Sequence, residues 1–328
     1  MIEVKGVLQV GKADIEAKQY MQDNAHFADA LNYILYNGRQ VIDPADLKDL
    51  DTTEIAIPYG NDARVPKQAF RDVIKQWRVA FDGKAIYVLL AGEDQTSVHY
   101  AMPVKNAVYD ALNYARQVEE SKKSYRGRKA ATETTLSSGE YLSGFRKTDR
   151  LIPIITIVIY FGADSWDGPM SLHEMLAPTD AELLRFIPDY RINLISPAGI
   201  PQGDFEKFTT EFGKVMEYVK YSRDKEKLKL ILSENDRYSS VDRDTFELIN
   251  VLTNSTLKAI EKEGKIDMCQ AIADMKAEAI QQGMQQGMQQ NAIANIKTLM
   301  ENMSWTAQQA MDALSVSAEE RAKYAEML

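Results

Sequence analysis

Two acids and an amide set the first question this chain poses. Residues 70–81 (FRDVIKQWRVAF) and 84–95 (KAIYVLLAGEDQ) are strand-like runs. They flank Asp82-Gly83, a dipeptide suited to the two positive φ angles of a type I′ hairpin turn. With those residues at the turn, Phe81 pairs with Lys84, and the same register carries Asp72 opposite Glu93. Directly opposed residues share a face, with Cβ atoms about 4.5–5.5 Å apart, and period-two alternation adds Gln95 to it. Like charges so placed destabilise a sheet unless something neutralises them, and a divalent cation does so. A slipped register would instead leave the two acids exposed near a strand end. A bare D…ExQ triplet is compatible with both readings.

The available ligand chemistry narrows the choice of cation. Cys269 stands alone, and the histidines are His26, His99 and His173, without metal-ligand spacing. A zinc site of the usual nitrogen and sulfur type is therefore excluded, and metal chemistry falls to carboxylates and a hard cation such as Mg²⁺. The 328 residues carry a net charge of −9 and are 45% hydrophobic and 27% charged. Those are soluble globular values and fit about two domains. The charge excludes a basic, wrapping nucleic-acid binder but not a local basic face. The N-terminus has no signal-peptide core, and the apolar run 151–161 is too short to span a bilayer. The expectation is a cytoplasmic protein without a membrane partner.

The elements that must position the acids are legible as patterns. Phe27, Leu31, Ile34 and Leu35 recur at helical spacing over 20–36, with Gly38 placed to end the helix. Residues 43–68 read as loop with one short strand at 54–58. Pro103 opens a helix running to about Glu120, with Val104, Val108, Leu112, Ala115 and Val118 on one face. Residues 121–150 read as an exposed loop. The uninterrupted apolar run LIPIITIVIYFG suits a strand buried on both faces, and 190–196 reads as another strand. Trp166 and His173, between the two, read as packing on the sheet edge. Beyond Asp204 the chain becomes helical, with a stripe of Phe205, Phe208, Phe212, Val215, Met216 and Val219, then helices at 224–234 and 243–253.

The tail repeats QQGM at 281–284 and 285–288. This spacing sets Met284 and Met288 on one helical face with Gly283 and Gly287 beside them. Residues 292–328 read as two or three short helices, with Ser304 and Ser317 as caps. The expected organisation is an α/β core over 1–200, a helical subdomain over 201–277 packed on or following the core, and a repeat helix with a small helical tail over 278–328. The tail is read as the element that makes a homo-oligomer.

The order helix, hairpin bearing Asp and then ExQ, helix, buried strand resembles the PD-(D/E)XK nuclease core. More closely, FADALNYILYNGRQVI (27–42), FRDV (70–73), AIYVLLAGEDQTSVHYAMPVKNAVYDALNYARQV (85–118), LIPIITIVIYFGADSWDGPMSLHEML (151–176) and PDYRINLI (188–195) resemble the Rpn family of recombination-promoting nucleases, a group also labelled as transposases. The resemblance covers roughly residues 20–255. It implies a restriction-endonuclease-like core, a mixed sheet flanked by helices with an all-helical C-terminal extension. It also implies a Mg²⁺-dependent DNA endonuclease that promotes DNA recombination, with Mn²⁺ as a substitute.

Carried over residue by residue, Asp72 and Glu93 become the metal-binding acids, with a backbone carbonyl beside Gln95. Gln95 stands where the wider superfamily has lysine. Glutamine supplies no positive charge, and Lys105 on the following helix is the candidate replacement. Asp29, on the first helix, is the candidate third acid and is otherwise a polar-face residue. His99 and Tyr100 follow the motif as candidate phosphate or base contacts, or as helix-entry packing.

DNA approaching this acidic chain needs a basic face. The stretch 116–150 offers Arg116, Lys122, Lys123, Arg126, Arg128, Lys129, Arg146, Lys147 and Arg150, suited to sequence-poor, salt-dependent phosphate contact. The alternative is a solvated loop. The competing function is a catalytically weak or inactive DNA-binding or oligomerising protein on the same fold, with Gln95 as its mark. No phosphate-cradling GxxxxGK[ST] loop is present, so nucleotide hydrolysis is not supported. Nothing resembles the acid spacing of a ribonuclease-H-like transposase.

Overall fold

In the computed structural model the described residues are 2–50, 53–56, 67–70, 72–81, 84–128, 136–234, 236–325 and 327–328. Two helices open the chain, α1 (Ile2–Gln22) and α2 (Asn24–Tyr36), where a single helix is expected over 20–36. Asp23 divides them. It is extended (φ −62°, ψ 128°), and its carboxylate accepts from the backbone N–H of Ala25 at 2.7 Å and of His26 at 3.3 Å, an N-cap that starts a new helix. α2 ends at the expected place, with Asn37 (φ 55°) and Gly38 (φ 85°) both left-handed.

Five strands follow: β1 (Leu47–Asp49), β2 (Thr53–Ala56), β3 (Lys67–Phe70), β4 (Val73–Phe81) and β5 (Lys84–Gln95). The strand expected over 70–81 is thus divided, with Asp72 in a bend between β3 and β4. β4 and β5 are antiparallel, with Phe81 opposite Lys84 and Val73 opposite Gly92. This is the register that an Asp82-Gly83 turn requires. The turn dipeptide itself lies outside the described residues. β2 and β3 form a separate two-stranded antiparallel pair.

The chain then crosses over through α3 (Met102–Arg128) and the short α4 (Ser138–Ser143) to β6 (Ile154–Tyr160), parallel to β5. A parallel neighbour requires such a crossover. α3 continues well past Glu120, into the stretch expected to be loop. α5 (Ala181–Leu184) and β7 (Asn193–Ile195) complete a mixed five-stranded sheet in the order β1-β4-β5-β6-β7. Residues 157–161 are buried, as expected for a strand with neighbours on both edges.

α3 lies along β6 on one face of the sheet. Met102 packs with Val158, the Thr156 hydroxyl donates to Asp110 at 2.8 Å, and the Gln117 side chain bonds the Ile152 backbone in both directions at 2.7 and 3.2 Å. α3 therefore starts at the C-terminal end of β6 and runs back past its beginning.

Three helices, α6 (Phe212–Tyr221), α7 (Lys225–Glu234) and α8 (Arg243–Thr253), and a hairpin of β8 (Glu261–Lys262) and β9 (Lys265–Ile266) complete the first of two compact units, Met1–Thr256 with Glu261–Ile266. Residues 201–256 thus belong with the sheet. The aromatic stripe is core as expected, but it is interrupted. Phe205 sits in a 3₁₀ turn (Gln202–Lys207), and the α-helix begins only at Phe212.

The second unit, Leu257–Ile260 with Asp267–Leu328, holds α9 (Met268–Met303), α10 (Ala307–Ala313) and α11 (Ala318–Ala325). Ile296, Ala310, Met311 and Tyr324 form its core. Ser304 is the left-handed C-cap of α9 rather than an N-cap. Thr306 caps α10, reciprocally with Gln309, and the Ser317 hydroxyl donates to Glu320 at 2.7 Å at the start of α11. No helix among the described residues is long and apolar enough to cross a membrane.

One buried charge ties helices to sheet in the first unit. Lys75 in β4 is fully buried. Its ammonium donates to the Gln22 carbonyl at 2.7 Å, Asn24 Oδ1 at 2.6 Å and Asp49 Oδ1 at 2.6 Å, with the Phe27 ring centroid 5.8 Å away. Three acceptors satisfy its three donors, the condition under which a buried ammonium is tolerated. Lys75→Met keeps the bulk and removes the donors. It is expected to lower the unfolding free energy by about 2–4 kcal/mol in urea titrations; a change under about 0.5 kcal/mol would contradict this role.

Candidate functional site

The β4–β5 ladder brings the two predicted acids to one end of the sheet. Its last described rung is Val73 with Gly92; Glu93 continues β5, and Asp72 precedes Val73 in a bend outside the ladder. On the other side of β5, Glu93 is opposite Val158 and Gln95 opposite Tyr160. The Glu93 side chain lies outside the described residues. The Gln95 carbonyl accepts from Phe161 N at 2.7 Å and so faces β6. Successive strand carbonyls point to opposite edges, which turns the Asp94 carbonyl toward the β4 side, where the described ladder has ended. That oxygen is the neighbour of Gln95 suited to a cation.

α1 crosses the same strand ends. Its Asp14 carboxylate accepts from Thr96 N at 3.3 Å and from the Thr96 hydroxyl at 2.5 Å, directly after β5. One helical turn later, Lys18 Nζ lies 3.8 Å from Asp72 Oδ1. A helix predicted to start at residue 20 leaves both residues out. Their four-residue spacing is the signal that places them on one helical face.

Asp29 has another task. It is buried in α2, and its two carboxylate oxygens accept from Thr209 N at 3.0 and 3.1 Å, the Thr209 hydroxyl at 3.2 Å, Thr210 N at 2.9 Å and the Thr210 hydroxyl at 2.7 Å. It closes the turn that interrupts the aromatic stripe before α6, so it is neither an exposed polar-face residue nor an acid with oxygens to spare. The helical acid that the structure brings to the end of β5 is Asp14.

Lys105 lies on the first turn of α3, the helix that leaves this end of β5. It is half-buried, with Nζ 5.7 Å from the Tyr109 ring centroid. His99 closes the helix entry through its carbonyl, which accepts from Met102 N at 2.9 Å. Tyr100 is exposed and donates to Asp167 Oδ2 at 3.1 Å, and this hydrogen bond to a carboxylate raises its phenol above the ordinary range. Burial raises the Tyr160 phenol as well, with Asp164 and Asp167 adding to it. Trp166 stacks edge-on against Tyr160 at 5.5 Å, and His173 Nε2 pairs with the Ile187 carbonyl at 2.8 Å. Both are packing residues.

The basic run is elsewhere. Lys122, Lys123, Arg126 and Arg128 occupy the last turns of α3, while Lys129 lies outside the described residues, as do the side chains of Arg126 and Arg128. At 1.5 Å per residue the helix carries Lys122 about 25 Å from Lys105, toward the opposite end of the sheet. Cations are favoured at a helix C-terminus, and local partners engage several of these. Lys122 lies 3.5 Å from Glu119, and the Arg146 guanidinium covers the Tyr125 ring at 4.1 Å while Tyr125 donates to Asp149.

Among the described residues, no group of three or more His, Cys, Asp and Glu side chains is placed to hold a metal ion. At this end of the sheet the described residues offer the Asp72 carboxylate and the Asp94 main-chain oxygen. In kind they fit a hard cation that keeps several of its waters, with the Lys18 ammonium competing for Asp72. No family model, curated protein or solved structure matches the chain.

Asp29, the candidate third acid, and Asp72 therefore separate by role. Asp29→Ala is expected to lose about 3 kcal/mol of unfolding free energy, because a buried carboxylate that accepts from four donors of Thr209 and Thr210 is removed. Asp72→Ala, in a bend beside a partly exposed lysine, is expected to lose less than about 1 kcal/mol. Urea unfolding of the two variants checks the order; the reverse order would contradict it.

Proposed function

We propose that this chain is a Mg²⁺-dependent DNA endonuclease, with Mn²⁺ as a substitute, that hydrolyses phosphodiester bonds and promotes DNA recombination on a PD-(D/E)XK core of the Rpn type. The observation that carries the reading is the register: an antiparallel β4–β5 pair whose last rung is Val73 with Gly92, the residues just after Asp72 and just before Glu93, followed by a helical crossover into a parallel β6. Asp72, Glu93 and the Asp94 carbonyl would hold the ion, and its Lewis acidity would polarise the phosphoryl oxygen and lower the pKa of an attacking water.

The chain's own residues do the rest. Gln95 offers hydrogen bonds but no charge, so compensation for developing negative charge falls to Lys105 on α3 and Lys18 on α1. Asp14, by holding Thr96, fixes the end of β5 on which Glu93 and Gln95 sit. The basic end of α3 gives the DNA backbone a second, sequence-independent contact remote from the reacting phosphate. A single cysteine agrees with action in the reducing cytoplasm.

A second reading has an observation of its own. The Lys18 ammonium beside Asp72 gives the carboxylate a cationic neighbour without a metal, and Gln95 lacks the superfamily's charge. Both suit a DNA-binding protein that has lost efficient catalysis.

Nicking of supercoiled plasmid separates the two. Wild type is expected to cut with Mg²⁺ or Mn²⁺ and not with EDTA, and Asp72→Ala and Glu93→Ala to lose at least about a hundredfold in rate. Equal cutting by all three proteins would overturn the site. Retardation of DNA on a gel without any cutting would favour the second reading.

A further inference from the structure

We propose that α9 pairs with α9 of a second copy of this chain, through a methionine ridge and a glycine groove over residues 280–288. Ile280, Met284, Met288, Ala292 and Ile296 recur every four residues and form one continuous row along the helix. At its C-terminal end the row is covered by the chain itself: Ile296 is fully buried against α10 and α11, and Ala292 packs there. At its N-terminal end it stands open. Ile280, Met284 and Met288 are 64%, 64% and 66% exposed, and every residue from 280 to 288 is exposed.

Gly283 and Gly287 supply the second, independent observation. Each weakens a helix relative to alanine, and the described residues give neither a reason within the chain. Both lie inside α9 without positive φ, and a Cβ built on either meets nothing within 4 Å. A glycine kept in a helix without an intrachain neighbour marks a face that another backbone approaches.

The occupant follows from shape and charge. The glycine row runs beside the methionine row, so the surface carries both a ridge and a groove and is complementary to itself, as a two-fold contact demands. Rows at four-residue spacing interdigitate when helices cross at about −50°. Residues 279–296 contain no charged side chain, in a chain of net charge −9. This window lets two acidic copies meet without opposing like charges, and it offers a nucleic acid no cation. The three exposed side chains would bury on the order of 400 Å² per copy, below the roughly 800 Å² per partner of a standard interface, so the pairing is reversible and concentration-dependent.

Light scattering on the full chain across a concentration series tests this. Wild-type mass is expected to rise from 37.0 kDa toward twice that value. Met284→Glu with Met288→Glu is expected to hold it at one chain throughout. Gly283→Ala with Gly287→Ala fills the groove while favouring the helix. It is expected to raise helicity by circular dichroism and yet weaken the dissociation constant by about tenfold or more. A wild type of one-chain mass at every concentration would overturn the proposal, as would an assembly that the glutamate pair leaves intact or a dissociation constant that the alanine pair leaves unchanged. A wild type that stays single and binds plasmid DNA only with Met284 and Met288 in place would assign the face to nucleic acid instead.

Discussion

A buried ammonium fixes the relation between helices and sheet in the first unit. Lys75 reaches from β4 to the carbonyl of Gln22, where α1 ends, to the side chain of Asn24, where α2 begins, and to Asp49 at the end of β1. One side chain thereby pins the α1–α2 corner and the edge strand to the same point of β4. Because α1 is rigid, fixing its last residue also fixes Lys18 and Asp14, one and two turns earlier, over the ends of β4 and β5. Burying a charge is costly unless its hydrogen bonds are complete, so this arrangement tolerates little displacement of any of the three partners.

The strand ladder does the complementary work. β5 is antiparallel to β4 on one edge and parallel to β6 on the other. The first relation pairs Val73 with Gly92, the neighbours of Asp72 and Glu93; the second sets the start of α3, with Lys105, at the end of β5 and sends the basic end of the helix away from it. The resulting electrostatics are local: Lys18 lies beside Asp72 and Asp14 holds Thr96 at the strand ends of an acidic molecule. Under the proposed function, the neutral Gln95 makes the flanking lysines the source of positive charge, and DNA must be held by contacts that do not coincide with the reacting phosphate.

Much of this was legible in the sequence because the signals were local. The register that an Asp82-Gly83 turn would require is the one that β4 and β5 adopt, and β-branched, uninterrupted apolar residues mark β6. What escaped was polar, and in part long-range. The α1–α2 break rests on an Asp23 cap inside an otherwise continuous helical pattern. Asp29 looked like a surface acid on a helix, and nothing local announces that Thr209 and Thr210, remote in sequence, supply its donors. Lys75 sat in a strand pattern as an ordinary polar residue, though its three acceptors come from the α1–α2 corner and β1. The end of β4 was overrun because FRDVIKQ continues a strand pattern through the bend at Asp72. The polar run after Glu120 read as loop, although its lysines and arginines complement the C-terminal dipole of α3. For Asp29 and Lys75 the deciding partners are tertiary contacts that periodicity cannot express; for Asp23 and the end of α3 they are local polar interactions that an apolar pattern does not carry.

The central claim is that Asp72 and Glu93 stand side by side and share a cation. Electron paramagnetic resonance of Mn²⁺ titrated into the DNA-free protein tests it most directly. The account predicts one ion bound per chain, lost on Asp72→Asn alone and on Glu93→Gln alone, and kept on Asp29→Asn. Binding that survives either of the first two substitutions, or wild-type protein that takes up no ion, would contradict it.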